Sequence, residues 1–320
     1  MVKKTSLVFC MAALVMLFAA AGAYAQFPAS CPPNAPELSS SDVPPGGTGL
    51  NTKTIAVASN FFGPSQTMIT NYLGTVTSTT VTICEGATGD IVTYINNNPG
   101  VIDAFFAADG AAAQFNSTLI DCEDPLEFTP SRCAFAYAQG IPVFFGWVPG
   151  SGKTNTIADI SILLTQSGNP GFGSGVYFDS ISDNSLSGFS FNTAANDVAI
   201  ANPATAPYGD AAVNILSFID AGNTAIWDIQ PNVTQTFNAV GGGSDYSGFV
   251  AKSQVCSMLD THQQAPLADT IAYVEFPDSG PTQQTIQLTS NGASIINYVY
   301  SNVGTRGWNN FLVSNCYKTP

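Results

Sequence analysis

Along the chain, apolar and polar positions form blocks whose period switches between two and about 3.6 residues. Residues 52–59 (TKTIAVAS) are apolar throughout their second half and predict a buried strand, whereas 65–74 (SQTMITNYLG) carry apolar residues at helical spacing. The β-branched 77–84 (TSTTVTIC) predict a strand, 90–98 (DIVTYINNN) a short helix, and 101–108 (VIDAFFAA) another strand. Further on, 140–148 (GIPVFFGWV) and 197–202 (DVAIAN) predict strands, while 157–165 (IADISILLT) and 210–219 (DAAVNILSFI) predict helices. Strand followed by helix, repeated, predicts an α/β protein with mainly parallel sheets covered on both faces. Residues 26–50 are rich in Pro, Ser and Gly and predict a leader arm with little regular structure.

The first 25 residues stand apart. Lys3 and Lys4 precede a long apolar stretch, and Ala23-Tyr24-Ala25 supplies small residues ahead of Gln26, the layout of a cleavable signal peptide. That predicts a periplasmic or secreted protein with no membrane insertion after cleavage. Eight basic residues face 22 acidic ones in the full chain, a net charge of −14. Such a field disfavours nucleic acid as a partner. Export also bears on 147–154 (WVPGSGKT), which follows an apolar run as a phosphate-gripping loop does. The glycine that loop needs five places before Gly152 is Trp147, so a nucleotide is not expected.

Six cysteines remain beyond residue 25: Cys31, Cys84, Cys122, Cys133, Cys256 and Cys316. An even number in an oxidising compartment predicts three disulfides. The expected pairs are Cys31–Cys84, Cys122–Cys133 and Cys256–Cys316, out of 15 possible pairings. No C-x-x-C occurs and His262 is the one histidine in the chain, so neither a metal site nor an enzyme is expected. Glu85 and Asp90 are read as a helix cap and a solvated face.

Four strand-to-helix junctions hold the candidate chemistry: Ser59 with Asn60, Thr88 with Gly89, Pro207-Tyr208-Gly209, and Asn232-Val233-Thr234. Ligands of open parallel sheets gather where strands feed helices, and a helix start can hold an anion with unpaired N–H groups alone.

In their order these segments resemble the periplasmic molybdate-binding proteins, within the type II solute-binding proteins of ABC transporters. Val57-Ala58-Ser59 is similar to that family's Ala-Ala-Ser run, and Gly86-Ala87-Thr88-Gly89 to its Gly-Ser-Ser-Gly turn. The stretch from Ile102 to Asp109 is similar to its Ala-Asp-Val-Phe strand ending in Ala-Asp. Ala199-Ile200-Ala201-Asn202-Pro203 with Pro207-Tyr208-Gly209 resembles its Ala-Ile-Gly-Asp-Pro and Pro-Ala-Gly segments.

The resemblance implies two α/β lobes around a central ligand cleft: 51–137 plus 256–320 as the first lobe, and 138–255 as the second. It implies that Ser59 and Thr88 contribute hydroxyl and backbone N–H groups, that Tyr208 and Val233 contribute backbone N–H groups, and that Asn60, Gly89 and Lys252 stand near. The implied ligand is a molybdate-, tungstate-, sulfate- or phosphate-type oxyanion, or a small anionic or polar solute, delivered to an ABC transporter permease with no cofactor. Ala251 stands where the family places a tyrosine hydroxyl on the anion, and Asp90 and Asp210 lie in the first turns of the presumed ligand-facing helices. The alternative expectation is a surface adhesin or matrix protein built on the same fold.

Overall fold

The computed structural model describes residues 31, 37–44, 47, 49–110, 120–121, 133–147, 176–177, 197–219, 226–242, 247–255, 271–275, 284–288, 294–295, 308–317 and 319. The expected signal peptide, the helix over 157–165, His262 and the glycines of WVPGSGKT lie outside these residues.

Two sheets form the framework. In the first, the strand order is β1 (Glu37–Ser39), β3 (Thr79–Gly86), β2 (Asn51–Ala58), β4 (Ala104–Phe106), β13 (Gln284–Leu288), β6 (Cys133–Ala138), β5 (Ile120–Asp121). β2 runs parallel to both β3 and β4, so its backbone is bonded on two sides and its C-terminal half, Ile55–Ala58, is buried. Alternation then decides which cluster each side chain enters. Ile55 and Val57 join Val81, Ile83, Phe106 and helix α1 (Phe62–Leu73), whose Met68, Ile69, Tyr72 and Leu73 cover that face. Ala56 points the other way, with Cys84 and Phe105, and is covered by Ile91, Tyr94 and Ile95 of helix α2 (Thr88–Asn97). Phe61 anchors the first cluster between Phe106, Tyr137 and Tyr317, with ring centroids 4.9–5.7 Å apart.

The second sheet orders as β10 (Ile226–Gln230), β9 (Asp197–Ala201), β11 (Ser247–Ala251), β7 (Pro142–Trp147), β12 (Ile271–Glu275), β8 (Val176–Tyr177). Helices α3 (Pro207–Ile219) and α4 (Val233–Gly242) follow β9 and β10. Both sheets are mixed rather than mainly parallel. β13 is antiparallel to β4 and β6, and β7 is antiparallel to β11 and β12, because strands that cross between the sheets re-enter from the opposite end.

The first crossing lies between β6 and β7, at 139–141, near the expected boundary at 138. The return differs from expectation. Residues 271–275 pair with β7 in the second sheet, so the chain regains the first sheet between 275 and 284 rather than near 256. The tail then docks on the first lobe, where Trp308, Leu312 and Tyr317 enter the first cluster.

The leader is more ordered than its composition predicts. Residues 37–39 add a strand antiparallel to β3, with Leu38 opposite Val81. Asp42 accepts a hydrogen bond from the Ser78 hydroxyl at 2.7 Å, and hydroxyls of Ser40 and Ser78 hold its carboxyl down at about 2. The expected Cys31–Cys84 disulfide is present and closes 53 residues, a constraint that typically contributes about 2–4 kcal/mol by restricting the unfolded chain. Cys316 is also disulfide-bonded. Cys122 and Cys256 lie outside the described residues, and with them the two other expected pairings.

Candidate functional site

The C-terminal ends of parallel strands from the two lobes face one another. In the first lobe Ala58 pairs with Gly86 across β2 and β3, so the 3-10 turn Ser59–Phe61 and the start of α2 leave the sheet side by side. In the second lobe Gln230 pairs with Ala201, which places the starts of α3 and α4 side by side. Ala58, Ala87 and Ala108 of the first lobe share one buried cluster with Ala201, Ala206, Tyr208 and Val233 of the second. The four principal candidates, Ser59, Thr88, Tyr208 and Val233, therefore sit at or next to a single junction, each at most 4% exposed.

Close approach there depends on small residues. A Cβ on Gly89 would lie 3.1 Å from the Thr205 backbone, and the Gly89 N–H donates to the Thr205 carbonyl at 2.8 Å. A Cβ on Gly209 would lie 2.8 Å from the Ala201 carbonyl carbon, so only glycine lets α3 start against the end of β9. The Ala87 N-cap offers no side-chain hydrogen bond to α2.

The side chains of the candidates already have work in the fold. The Ser59 hydroxyl donates to Gly86 O at 3.4 Å. The Thr88 hydroxyl accepts from the Ala108 N–H at 3.1 Å, fixing the loop after β4. Lys252 is half-buried just past β11, with its N–H donating to Ile141 O at 2.8 Å.

Asn60 belongs to a buried polar knot. Its Nδ2 donates to Gln284 Oε1 at 3.0 Å and to the Tyr317 hydroxyl at 3.1 Å. Its carbonyl accepts from Tyr317 at 2.6 Å and from Ser253 at 2.9 Å. Gln284 Oε1 also accepts from Tyr137 at 2.8 Å, while Gln284 Nε2 donates to the Tyr208 hydroxyl at 3.0 Å. The Gln284 amide thus joins both lobes, and Asn60 ties the tail to it. Burial pushes the phenols of Tyr137, Tyr208 and Tyr317 up, so all three stay neutral. Among the described residues, three buried side-chain atoms have no hydrogen-bond partner: Asn60 Oδ1, Thr205 Oγ1 and Ser247 Oγ.

Glu85 is not on a solvated face, contrary to expectation. Its carboxylate accepts from Thr234 Oγ1, in the first turn of α4, at 2.7 Å. Thr234 Oγ1 also lies 3.4 Å from Ser59 O and accepts from Gln254 Nε2 at 3.4 Å. Burial raises the Glu85 carboxyl above its ordinary 4.5, and the Thr234 bond offsets that only in part. Burial raises Asp90 as well. A raised carboxyl takes up protons on folding, so stability falls as pH rises from about 4.5 through the folded value and is level above it. Glu85→Gln is expected to flatten that fall and to leave the variant at least as stable as the parent at neutral pH. Urea midpoints at about pH 4, 6 and 8 check this; a variant that loses most at the highest pH contradicts it.

Sequence reasoning passed over Glu85 as a junction residue, Thr234 as its partner, and Gln284 and Tyr317 altogether. Of these only Thr234 carried a signal, as part of a helix start. No group of three or more metal-ligating side chains occurs among the described residues.

Comparison with known proteins gives a family. Residues 54–299 match the bacterial extracellular solute-binding protein family. No curated protein sequence matches. Among solved structures, the periplasmic molybdate-binding protein of Azotobacter vinelandii is 18% identical with a TM-score of 0.53, covering 84% of this chain and 99% of that one. The substrate-binding protein of an ABC transporter from Agrobacterium tumefaciens is 13% identical with a TM-score of 0.52, covering 84% and 80%. The sulfate-binding protein of Mycobacterium tuberculosis is 9% identical with a TM-score of 0.50, covering 84% and 87%. These likenesses carry the fold, that of the type II periplasmic binding proteins. With more than half its length matched, the chain belongs to the bacterial extracellular solute-binding proteins.

Proposed function

We propose that this chain captures a small oxyanion or a comparably small anionic, polar solute between its lobes and delivers it to an ABC transporter permease outside the cytoplasm. The observation that carries the reading is the meeting of four chain turns, two from each lobe, at one buried junction. Helix starts present N–H groups and about half a positive charge, so such a junction can hold an anion without a lysine or arginine. The molybdate- and sulfate-binding proteins that share the fold support the same ligand class. In this reading Ser59 and Thr88 hold the solute from the first lobe and the backbone at Tyr208 and Val233 from the second, with Asn60, Gly89 and Lys252 alongside.

Lobe closure around the solute would then report occupancy. A thermal-shift screen against molybdate, tungstate, sulfate, phosphate and small organic acids tests the reading. At about 100 times its Kd a ligand adds about 2.7 kcal/mol to stability, and the melting point should rise accordingly. Ser59→Ala and Thr88→Ala should each weaken whichever compound stabilises the parent, by roughly 1–2 kcal/mol per lost hydrogen bond. A panel that leaves the melting point unmoved refutes the ligand class, and unchanged affinity in both variants refutes the site.

A further inference from the structure

We infer that the disulfide at Cys316 is a redox-sensitive lock on the hinge between the lobes: intact, it holds Tyr317 in the polar knot, and a dithiol that opens it frees the tail and loosens the hinge. The lock acts on the motion of the lobes, whichever solute they bind.

The tail ends in a turn that aims one side chain inward. Residues 308–314 are helical. The Cys316 N–H then donates to Val313 O at 3.0 Å and the Tyr317 N–H to Leu312 O at 2.9 Å. That pair of bonds closes a helix end when the residue between helix and exit is left-handed, a place usually taken by glycine. Cys316 occupies it with φ 61°. A side chain is disfavoured in that conformation, and what this one adds is a disulfide. Leu312 and Tyr317 both enter the first lobe's core, so the turn directs the phenol toward Asn60.

Around Asn60 the tail meets both lobes. Its carbonyl accepts from Tyr317 of the tail at 2.6 Å and from Ser253 of the second lobe at 2.9 Å, and its Nδ2 donates to the Tyr317 hydroxyl at 3.1 Å. Ser253 follows β11 in the turn whose Lys252 N–H donates to Ile141 O, in the first crossing. Releasing Tyr317 therefore strips Asn60 of two bonds where the lobes are joined. Access selects the bond that opens. Cys31 and Cys84 are 5% and 0% exposed, whereas Cys316 is half-buried, and thiol exchange needs a thiolate to reach a sulfur. The dithiol gives up two electrons and two protons: its two S–H bonds become one S–S bond, and the S–S bond at Cys316 becomes two thiols. A hinge that spends less time closed holds its solute more weakly in proportion, so the lock couples capture to the surrounding thiol poise.

The test is hydrogen exchange read by mass spectrometry on the intact chain, before and after native-state treatment with dithiothreitol and alkylation. Cys316 should be alkylated before Cys31 and Cys84. Exchange in the peptides carrying Asn60 and Lys252 should then quicken about tenfold or more, while β2 and β3 stay within about twofold. Tyr317→Phe, with the disulfide intact, should lose the same protection and respond no further to the dithiol. An alkylated Cys316 with unchanged exchange at Asn60 and Lys252 overturns the inference. So does a Tyr317→Phe variant that exchanges as the parent does, an equal quickening across β2 and β3, or alkylation of Cys31 and Cys84 ahead of Cys316. Should the variant fail to fold, the treated parent decides. No solute enters the measurement, so its failure leaves the solute-binding reading standing.

Discussion

Replacing Gln284 with leucine is expected to cost about 3–9 kcal/mol of stability, because three buried polar groups lose a partner at about 1–3 kcal/mol each. Those groups are the Tyr137 hydroxyl, one Asn60 amide hydrogen and the Tyr208 hydroxyl, in a knot where Gln284 itself is fully buried. Leucine matches the volume well enough that the loss reflects unmet hydrogen bonding rather than a cavity. The effect should also reach the junction. Asn60 flanks Ser59 in one lobe and Tyr208 opens α3 in the other, so cutting the amide that joins them loosens the register between lobes. Chemical denaturation measures the stability loss. Titration with whichever oxyanion stabilises the parent should show weaker binding even at temperatures where the variant is fully folded. Tyr137→Phe removes one of the three bonds and should lose about a third as much; a variant pair with equal losses would show that Gln284 does not link the groups.

Trp308→Ala should cost about 3–5 kcal/mol through its cavity. Trp308 is 1% exposed in the first lobe's core, stacks on Phe311 with centroids 5.4 Å apart, and donates from Nε1 to the Tyr137 carbonyl at 3.1 Å. That indole holds the tail whose Tyr317 grips Asn60. Loss of Trp308 is therefore expected to free the C-terminal residues before the rest of the domain, giving early proteolysis near the end of the chain. Trp308→Phe restores much of the apolar volume without the N–H bond and should fall between the two. Limited proteolysis with mass mapping, alongside urea melts, checks the order of events. An alanine variant whose tail stays protected up to global unfolding contradicts it.

The legible parts of the fold were those where side-chain chemistry and backbone period agree. TKTIAVAS and TSTTVTIC became β2 and β3 because both faces of these strands are covered, so apolar or β-branched residues fill nearly every position. Helix α1 was legible from Met68, Ile69, Tyr72 and Leu73 at i, i+1, i+4 and i+5.

β13 was missed because QTIQL is polar at the very position, Gln284, that the knot requires; a buried hydrogen-bonding residue breaks the apolar signature of an inner strand. β10 was missed for another reason. It is the outermost strand of its sheet, and Trp227 and Ile229 are 38% and 54% exposed, so its apolar residues do not mark an inward face.

At the junction, the turns at Ser59, Thr88, Tyr208 and Val233 could be found because helix starts have local chemistry. Glu85–Thr234 and Asn60–Gln284 are separated by 149 and 224 residues, and no local pattern anticipates a hydrogen bond across such a span.

The three-residue strand Glu37–Ser39 has a consequence for how this chain behaves in company. It covers the flank of β3, whose residues TTVTICEG would otherwise offer an unpaired row of amides and carbonyls to any extended segment nearby. An exposed row of that kind recruits other chains and seeds aggregation. A protein shortened to begin at β2 would lose this strand together with the Cys31–Cys84 bond, and with them its defence against self-assembly, since the arm acts as a plug against polymerisation.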